Sequence, residues 1–207
     1  IHLCKIGILL LDRDFEHDIY ELIKAFYPEG DIHSLYEKDE EEYDIFFTVK
    51  KDNDNFVIKY DTKDQKGVAS AEVIRGADGD SSQETHEKLM DAHELRKANK
   101  DSLKYALYNV LVKLTGRTLP WGNLTGIRPA KLAMGMIESG MKNTEIAQEM
   151  RERYLVSAKK TALAITIANR ERALLQDIDY EHGYSLYVGI PFCPSICLYC
   201  SFSSYPL

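Results

Sequence analysis

The first 75 residues carry short apolar stretches separated by polar turns, a pattern that predicts a small sheet domain. Residues 3–11 form a nearly continuous apolar run, which is typical of a buried strand. A helix is predicted to follow, with Asp14 as its N-cap and with Pro28 and Gly30 ending it. The apolar residues of this helix recur at helical spacing and predict its inner face: Phe15, Ile19, Leu22, Ile23 and Phe26.

Further strands are predicted after this helix. The strand-like stretches lie near residues 31–37, 43–50, 56–61 and 68–75. The second and third are joined by five polar residues, Lys-Asp-Asn-Asp-Asn, which indicate a hairpin turn. A turn-rich break follows the last stretch. Residues 1–80 are therefore predicted to form an N-terminal α+β domain.

From about residue 83 the apolar periodicity changes to that of helices. Ser81 and Glu84 fit a capping box at this point. A stripe of apolar residues then ends at Gly116, a residue that commonly terminates helices. The stripe consists of Leu103, Leu107, Val110, Leu111 and Leu114.

Three more helices are predicted, over residues 129–140, over residues 143–154 and from residue 157 onward. Residues 81–178 are thus predicted to form a helical domain. The last helix is predicted to turn Leu163, Ile167, Ala168 and Leu174 or Leu175 inward.

The remaining residues, 179–207, are predicted to begin a third domain. A polar connector covers residues 177–184, and residues 185–192 then predict a new strand. Three of the four cysteines follow this strand at once, at positions 193, 197 and 200.

Net charge and hydropathy limit the classes of protein to which this chain can belong. The 207 residues carry a formal net charge of −7, and the pI is about 5.4. Nucleic-acid binding is not expected, because it requires a basic surface to neutralise phosphates. The longest apolar run is far too short to span a membrane. We therefore expect a soluble cytoplasmic protein.

Clustered cysteines in a cytoplasmic chain are more often metal ligands or redox groups than disulfide partners. Their spacing of four and then three residues lets one tight loop surround an iron–sulfur cluster, and three ligands leave one iron open. A structural zinc site would need a fourth ligand, and His182, the nearest histidine, has no chelating spacing. A redox dithiol at Cys197 and Cys200 would leave Cys193 without a role.

The cysteine loop, with Tyr199 directly before its last cysteine, resembles the signature of radical S-adenosylmethionine (SAM) enzymes. The sequence from Tyr187 to Phe202 is similar to the oxygen-independent coproporphyrinogen III oxidase family, and residues 119–131 resemble the linker of its HemZ-type branch. The resemblance implies an α+β chain with a small N-terminal α/β sheet domain and a helical region. The first strand and cluster loop of a truncated radical SAM (β/α) barrel would follow.

The resemblance also implies cofactors and a reaction. A reduced [4Fe-4S] cluster would cleave SAM, and the 5′-deoxyadenosyl radical would take a hydrogen atom from a porphyrinogen propionate. Loss of carbon dioxide and an electron would leave a vinyl group, and two rounds would convert coproporphyrinogen III to protoporphyrinogen IX in haem biosynthesis. An electron-donor protein would be a partner. The implied cluster ligands are Cys193, Cys197 and Cys200, and the implied cofactor contacts are Tyr187, Tyr199 and Phe202.

Two departures limit what the resemblance implies. Gly189 stands where better-known family members have a histidine, so a role for that histidine does not transfer. Nearly all of the barrel is absent after the cysteine loop, so residues 1–207 alone are expected to be inactive. No catalytic residue is assigned.

Other functions stay open. The protein could be a haem-binding or haem-delivery relative, with His182 as the histidine nearest the loop, or an interaction module fused to a radical SAM enzyme with another substrate. Arg128 and Lys131 begin a predicted helix, where cations oppose the helix dipole. A nearby anion would explain them, although a surface ion pair is the more common arrangement.

Overall fold

A computed structural model describes residues 3–75, 92–179, 182–184, 186–202 and 205–206. The predicted capping box at Ser81 and Glu84 lies outside these ranges. Contacts divide the chain into two compact units, residues 1–171 and 172–207. None of the helices in the described ranges is both long and apolar enough to cross a membrane.

The strands are β1 (Lys5–Leu10), β2 (Asp31–Leu35), β3 (Ile45–Asp52), β4 (Asn55–Thr62), β5 (Lys66–Glu72), β6 (Phe192–Cys193) and β7 (Tyr205–Pro206). The helices are α1 (Glu16–Phe26), α2 (Ala92–Thr115), α3 (Pro129–Glu138), α4 (Asn143–Glu152) and α5 (Ala158–Leu175).

In the first unit, β1 to β5 form one mixed sheet in the order β2-β1-β3-β4-β5. β1 pairs in parallel with both β2 and β3, whereas β3, β4 and β5 are antiparallel neighbours. α1 provides the crossover that the parallel pair of β1 and β2 requires. The predicted α+β class is confirmed, and the radical SAM barrel stays a prediction.

α1 buries most of the apolar face that its sequence predicts. Its predicted N-cap is wrong: Phe15 occupies that position, with a φ of 60° and no capping side-chain hydrogen bond. Phe15 packs edge-on against Phe56 of β4, and Asp14 pairs with Arg96 of α2 at 3.4 Å. An aromatic contact and an ion pair thus hold the start of α1, in place of the expected cap.

The hairpin predicted around residues 51–55 is confirmed. β3 and β4 pair along their full lengths and reverse direction between Asp52 and Asn55. Asn53 has a φ of 50°, a left-handed conformation that asparagine tolerates better than most residues do. Along β3 every second residue is buried up to Val49, so one face of this strand enters the core.

α2 packs on the same hydrophobic core as the sheet. Its apolar stripe is buried there except for Leu114, which is partly buried. The helix ends before Gly116, whose φ is 66°, as the stop signal predicts. The core therefore continues past the predicted boundary at residue 80. The division into 1–80, 81–178 and 179–207 stays a prediction. The stripe residues in this core are Leu103, Leu107, Val110, Leu111 and Leu114.

A second hydrophobic core lies among α3, α4 and α5. α5 contributes Ala164 and Ala168 to this core, and α3 contributes Ala133. All three alanines are fully buried. The predicted inner face of α5 is therefore right at Ala168 and wrong at its large residues. The buried positions of α5 are thus filled by small side chains, and most of its large apolar residues are exposed. The large residues that are exposed are Leu163, Ile167, Leu174 and Leu175.

The second unit has little regular structure in its described part. β6 and β7 pair in parallel over two residues each. The strand predicted over residues 185–192 is wrong for most of its length, because residues 186–191 form no strand. Ser185 lies outside the described residues. A strand needs a neighbour to satisfy its backbone hydrogen bonds, and among the described residues of this stretch only β6 has one.

Candidate metal centre

The cysteine loop is closed at its base by β6 and β7. Cys193 lies in β6, directly after Phe192, which pairs with Tyr205 of β7. The Tyr205 N–H donates to the Pro191 carbonyl oxygen at 2.7 Å, and the Phe192 and Tyr205 ring centroids lie 6.0 Å apart. Backbone pairing and an aromatic contact therefore bring the chain back beside the first cysteine.

A turn links the other two cysteines of the loop. The Cys200 N–H donates to the Cys197 carbonyl oxygen at 2.9 Å, which is the hydrogen bond of a β-turn. Cys197 is exposed, Cys193 and Cys200 are partly buried, and all three are free thiols. Local turn geometry positions the last two cysteines, whereas strand pairing positions the first.

The donor chemistry of this loop fits an iron–sulfur cluster, because thiolates are its usual ligands and the three thiols form no disulfide. Within the described ranges, no three histidine, cysteine, aspartate or glutamate side chains converge on one possible metal position.

The aromatic residues predicted to contact a cofactor lie in solvent. Tyr187, Tyr199 and Phe202 are 81%, 91% and 74% exposed. Gly189, which replaces the family's histidine, lies beside the Tyr187 ring: a Cβ added there would stand 3.1 Å from a ring carbon. A side chain at position 189 would therefore press on this ring. The role of the three aromatic residues as cofactor contacts stays a prediction.

The fourth cysteine and the histidine nearest the loop occupy other environments. Cys4 is partly buried against the sheet core, and this burial, reinforced by the Asp44 carboxylate, raises the pKa of its thiol. His182 is exposed, and its Nδ1 lies 2.9 Å from Oδ2 of Asp179. A role for His182 as a haem ligand stays a hypothesis.

Arg128 and Lys131 begin α3 as predicted, and both are exposed. The Lys131 N–H donates to the Arg128 carbonyl oxygen at 3.0 Å. A different group of basic residues, which the sequence analysis missed, lines a cleft of about 400 Å³ in the first unit. Their spacing along α2, in steps of three, one, three and four residues, places them on one helix face and was the available signal. They are His93, Arg96, Lys97, Lys100 and Lys104.

One curated protein matches part of this chain. The oxygen-independent coproporphyrinogen-III oxidase-like protein HemZ of Bacillus subtilis (strain 168) is 37% identical over 134 residues, which cover 62% of this chain. The match covers 27% of that protein, so the chain spans about a quarter of its length. No family model matches the chain, and no solved structure matches it significantly. The resemblance to the HemZ type is thus confirmed over the aligned part, which is similar to this Bacillus subtilis protein.

Proposed function

We propose that the protein to which this chain belongs is a cytoplasmic radical SAM enzyme of haem biosynthesis, which converts coproporphyrinogen III to protoporphyrinogen IX without oxygen. The observation that carries the proposal is a closed loop with three free thiols at a four-then-three spacing. The relative named as coproporphyrinogen-III oxidase-like supports the substrate class. The thiols suggest the chemistry, and the relative suggests the molecule on which it acts.

In this proposal, Cys193, Cys197 and Cys200 are the protein ligands of a [4Fe-4S] cluster. When bound, the cluster and SAM supply a one-electron reduction and the removal of a hydrogen atom. Three protein thiolates leave one iron position free for SAM. The loop itself presents the thiolates from a base closed by β6 and β7. Its aromatic side chains are exposed, and in this proposal they would cover the bound cofactor and exclude water from it.

The proposed reaction balances in atoms and electrons. Each propionate side chain gives up a hydrogen atom, carbon dioxide and one electron, and becomes a vinyl group. The donor protein would supply one electron and the substrate the hydrogen atom, so that SAM would leave as methionine and 5′-deoxyadenosine. The electron released by the substrate passes to a one-electron acceptor. Two propionates react, so two molecules of SAM are consumed for each protoporphyrinogen IX.

Anaerobic reconstitution with iron and sulfide tests the proposal. The protein that carries this chain is expected to bind about four irons per molecule and to release 5′-deoxyadenosine from SAM in the presence of a reductant. Addition of coproporphyrinogen III is expected to yield carbon dioxide and protoporphyrinogen IX. Substituting alanine at position 193, 197 or 200 should abolish 5′-deoxyadenosine formation. Cys4→Ala is the matched control, because it removes the one thiol outside the loop, and it should retain both iron and activity.

Two outcomes would contradict the proposal. Full iron loading of the Cys197→Ala variant would show that the loop does not hold the cluster. A loaded protein that releases no 5′-deoxyadenosine would not be a radical SAM enzyme. Haem binding that is lost in His182→Ala, without SAM cleavage, would favour the haem-binding alternative.

A further inference from the structure

A cleft of about 400 Å³ lies in the first unit, lined by residues of α1 and α2, by the loop 123–127, by Leu132 of α3 and by Tyr154. This volume is within the range of small-molecule sites. The loop belongs to the segment 119–131, which carries the second part of the family resemblance. All the lining residues that the structure describes belong to the first unit.

The α2 side of the cleft is cationic in a protein whose net charge is −7. The lining carboxylates are those of Asp18 and Asp101. Asp101 is already held by Arg153, at 3.0 Å. Four lysine and arginine side chains line the cleft beside these two carboxylates, one of which is engaged by Arg153. They are Arg96, Lys97, Lys100 and Lys104.

Lys104 is the buried member of this group, with 6% of its surface exposed. Its ammonium donates to Oγ1 of Thr125 at 2.9 Å and lies 3.9 Å from Oδ1 of Asp18. The second distance is beyond hydrogen-bond range. An ammonium has three N–H donors, so these contacts leave donor capacity on Lys104, which lines the cleft. Burial lowers the pKa of Lys104, because desolvation disfavours the charged form, and a bound anion would oppose this effect.

The other cations lie nearer to solvent. Lys100 pairs with Asp18 at 3.6 Å. Arg96 pairs with Asp14 and lies over the Phe15 ring, 4.8 Å from its centroid. Lys97 is exposed. These positions extend the positive charge from the buried Lys104 to the rim, along one face of α2.

Apolar side chains complete the cleft. Leu124 and Ile127 of the loop, Leu132 of α3 and the ring of Tyr154 line it together with Phe15. Ile127 is half exposed. A site that combines an apolar lining with convergent charged groups suits a ligand that has both an apolar body and a charged group.

We propose that this cleft binds an organic anion with an apolar ring body, whose carboxylate or phosphate is held by Lys104 and the adjacent cations of α2. Lys104 donates to the anionic group from the buried end, Lys97 and Lys100 strengthen the attraction at the rim, and the ring body packs on Leu124, Ile127 and Leu132. The site uses neither iron nor SAM, so it is independent of the proposed enzyme activity.

Isothermal titration of the 207-residue chain with matched naphthalene probes tests this proposal. 2-Naphthyl phosphate and 2-naphthoate carry the two anionic groups on one ring body, and 2-naphthol is the uncharged control. We expect saturable binding of at least one anion, with affinity at least about tenfold above that of the naphthol. Raising the salt concentration from about 50 mM to about 300 mM should weaken this binding severalfold. The tighter of the two anions identifies the anionic group of the ligand.

Matched variants on α2 locate the binding. Lys104→Met keeps the apolar stem and removes the charge, and it should weaken binding of the anion about tenfold or more. Lys97→Gln, at an exposed position, should weaken it about threefold without affecting folding. Lys113→Met is the control on the same helix, because Lys113 donates to the Tyr60 hydroxyl at 3.1 Å, outside the cleft. It should leave the affinity unchanged.

Three outcomes would overturn the proposal. The first is the absence of saturable binding of either anion. The second is equal binding of the naphthol, which would indicate apolar adsorption to exposed surface. The third is unchanged affinity in both Lys104→Met and Lys97→Gln, in which case Lys104 only fastens α2 to the loop at Thr125. Lys97→Gln keeps the test decisive even if Lys104→Met fails to fold.

Discussion

Residues 45–60 and residues 186–202 are both rich in aromatic and branched apolar side chains, but the first stretch buries many of them and the second leaves them in solvent. Phe47 and Ile58 are fully buried in the sheet core, whereas Tyr187, Leu198 and Tyr199 are largely exposed. Burying one large apolar side chain stabilises a protein by roughly 1.5–3 kcal/mol. The second stretch therefore contributes much less to folding than its composition allows.

This difference in burial comes from the neighbouring elements on which each stretch can pack, rather than from its composition. β3 has a paired strand on both sides, β1 and β4, and its buried residues share a core with α1 and α2. The described part of the cysteine loop has one pairing of two residues, between β6 and β7. Exposed apolar surface of this kind is often a binding surface. This supports the proposal that the loop receives a cofactor.

Truncating one phenylalanine in each stretch should give the largest contrast. Phe47→Ala removes a fully buried ring and is expected to lower the free energy of unfolding by about 3–5 kcal/mol. Phe202→Ala, in the cysteine loop, is expected to change it by no more than about 0.5 kcal/mol. Urea denaturation of both variants, followed by circular dichroism, measures the difference. A large loss in Phe202→Ala would mean that the loop packs on a core.

Glycine substitutions test whether irregular backbone alone explains the exposure of the cysteine loop. Gly122 and Gly126 lie in one irregular segment, with φ values of 57° and 68°. A Cβ at Gly122 would collide with the Tyr154 carbonyl oxygen, whereas one at Gly126 would meet nothing within 4 Å. We expect Gly122→Ala to cost about 2–4 kcal/mol and Gly126→Ala about 1 kcal/mol.

Thermal and urea denaturation of these two variants provide the measurement. Equal losses would show that positive φ is the whole cost at both positions. A larger loss at Gly122 would show that an irregular segment can be tightly packed. In that case, the exposure of the cysteine loop reflects missing partners and not its lack of regular structure.

Alanines on opposite faces of α5 extend the comparison to a helix. Ala164 is fully buried and Ala162 is exposed. Ala164→Leu should overpack the second core and lower stability by about 1–3 kcal/mol. Ala162→Leu should change stability by less than about 0.5 kcal/mol. Comparable losses in urea denaturation would show that the small-residue face is not the one that packs.

The fold of the first unit was predictable where structure depends on residues close in the sequence. The spacing of apolar residues predicted the inner face of α1, and polar residues 51–55 predicted the β3–β4 turn. The start of α1 was not predictable in this way, because it depends on contacts with Phe56 and Arg96, which are remote in the sequence. The inner face of α5 depends likewise on its packing with α3 and α4.

The same distinction applies to the sites. Cysteine spacing is a local signal, so the three thiols could be identified as candidate ligands from sequence alone. A strand over residues 185–192 depends on neighbouring strands, and β6 is all that forms among the described residues there. The helical spacing of the basic residues of α2 was visible in the sequence. That they border a cleft depends on the fold, which brings the loop 123–127 beside α2, where Lys104 donates to Thr125.

The smallest expected effect concerns a buried ionisable group, Tyr154. Burial, reinforced by Asp101 near its hydroxyl at 3.2 Å, raises the pKa of this phenol well above its usual value. In the unfolded chain, a tyrosine loses its proton at about pH 10. The folded protein holds this proton to higher pH, so its contribution to stability is complete below about pH 10 and is lost as the pH rises through the folded-state pKa.

Tyr154→Phe isolates this contribution, because it removes the ionisable hydroxyl and keeps the buried ring. Urea denaturation at about pH 8 and about pH 11 should show that the unsubstituted chain loses up to about 1.4 kcal/mol more than the variant over this interval. Equal losses would mean that the Tyr154 phenol ionises as easily in the folded protein as in the unfolded chain. The second core would then admit water, and the contrast between a buried first unit and an exposed cysteine loop would hold for the sheet core alone.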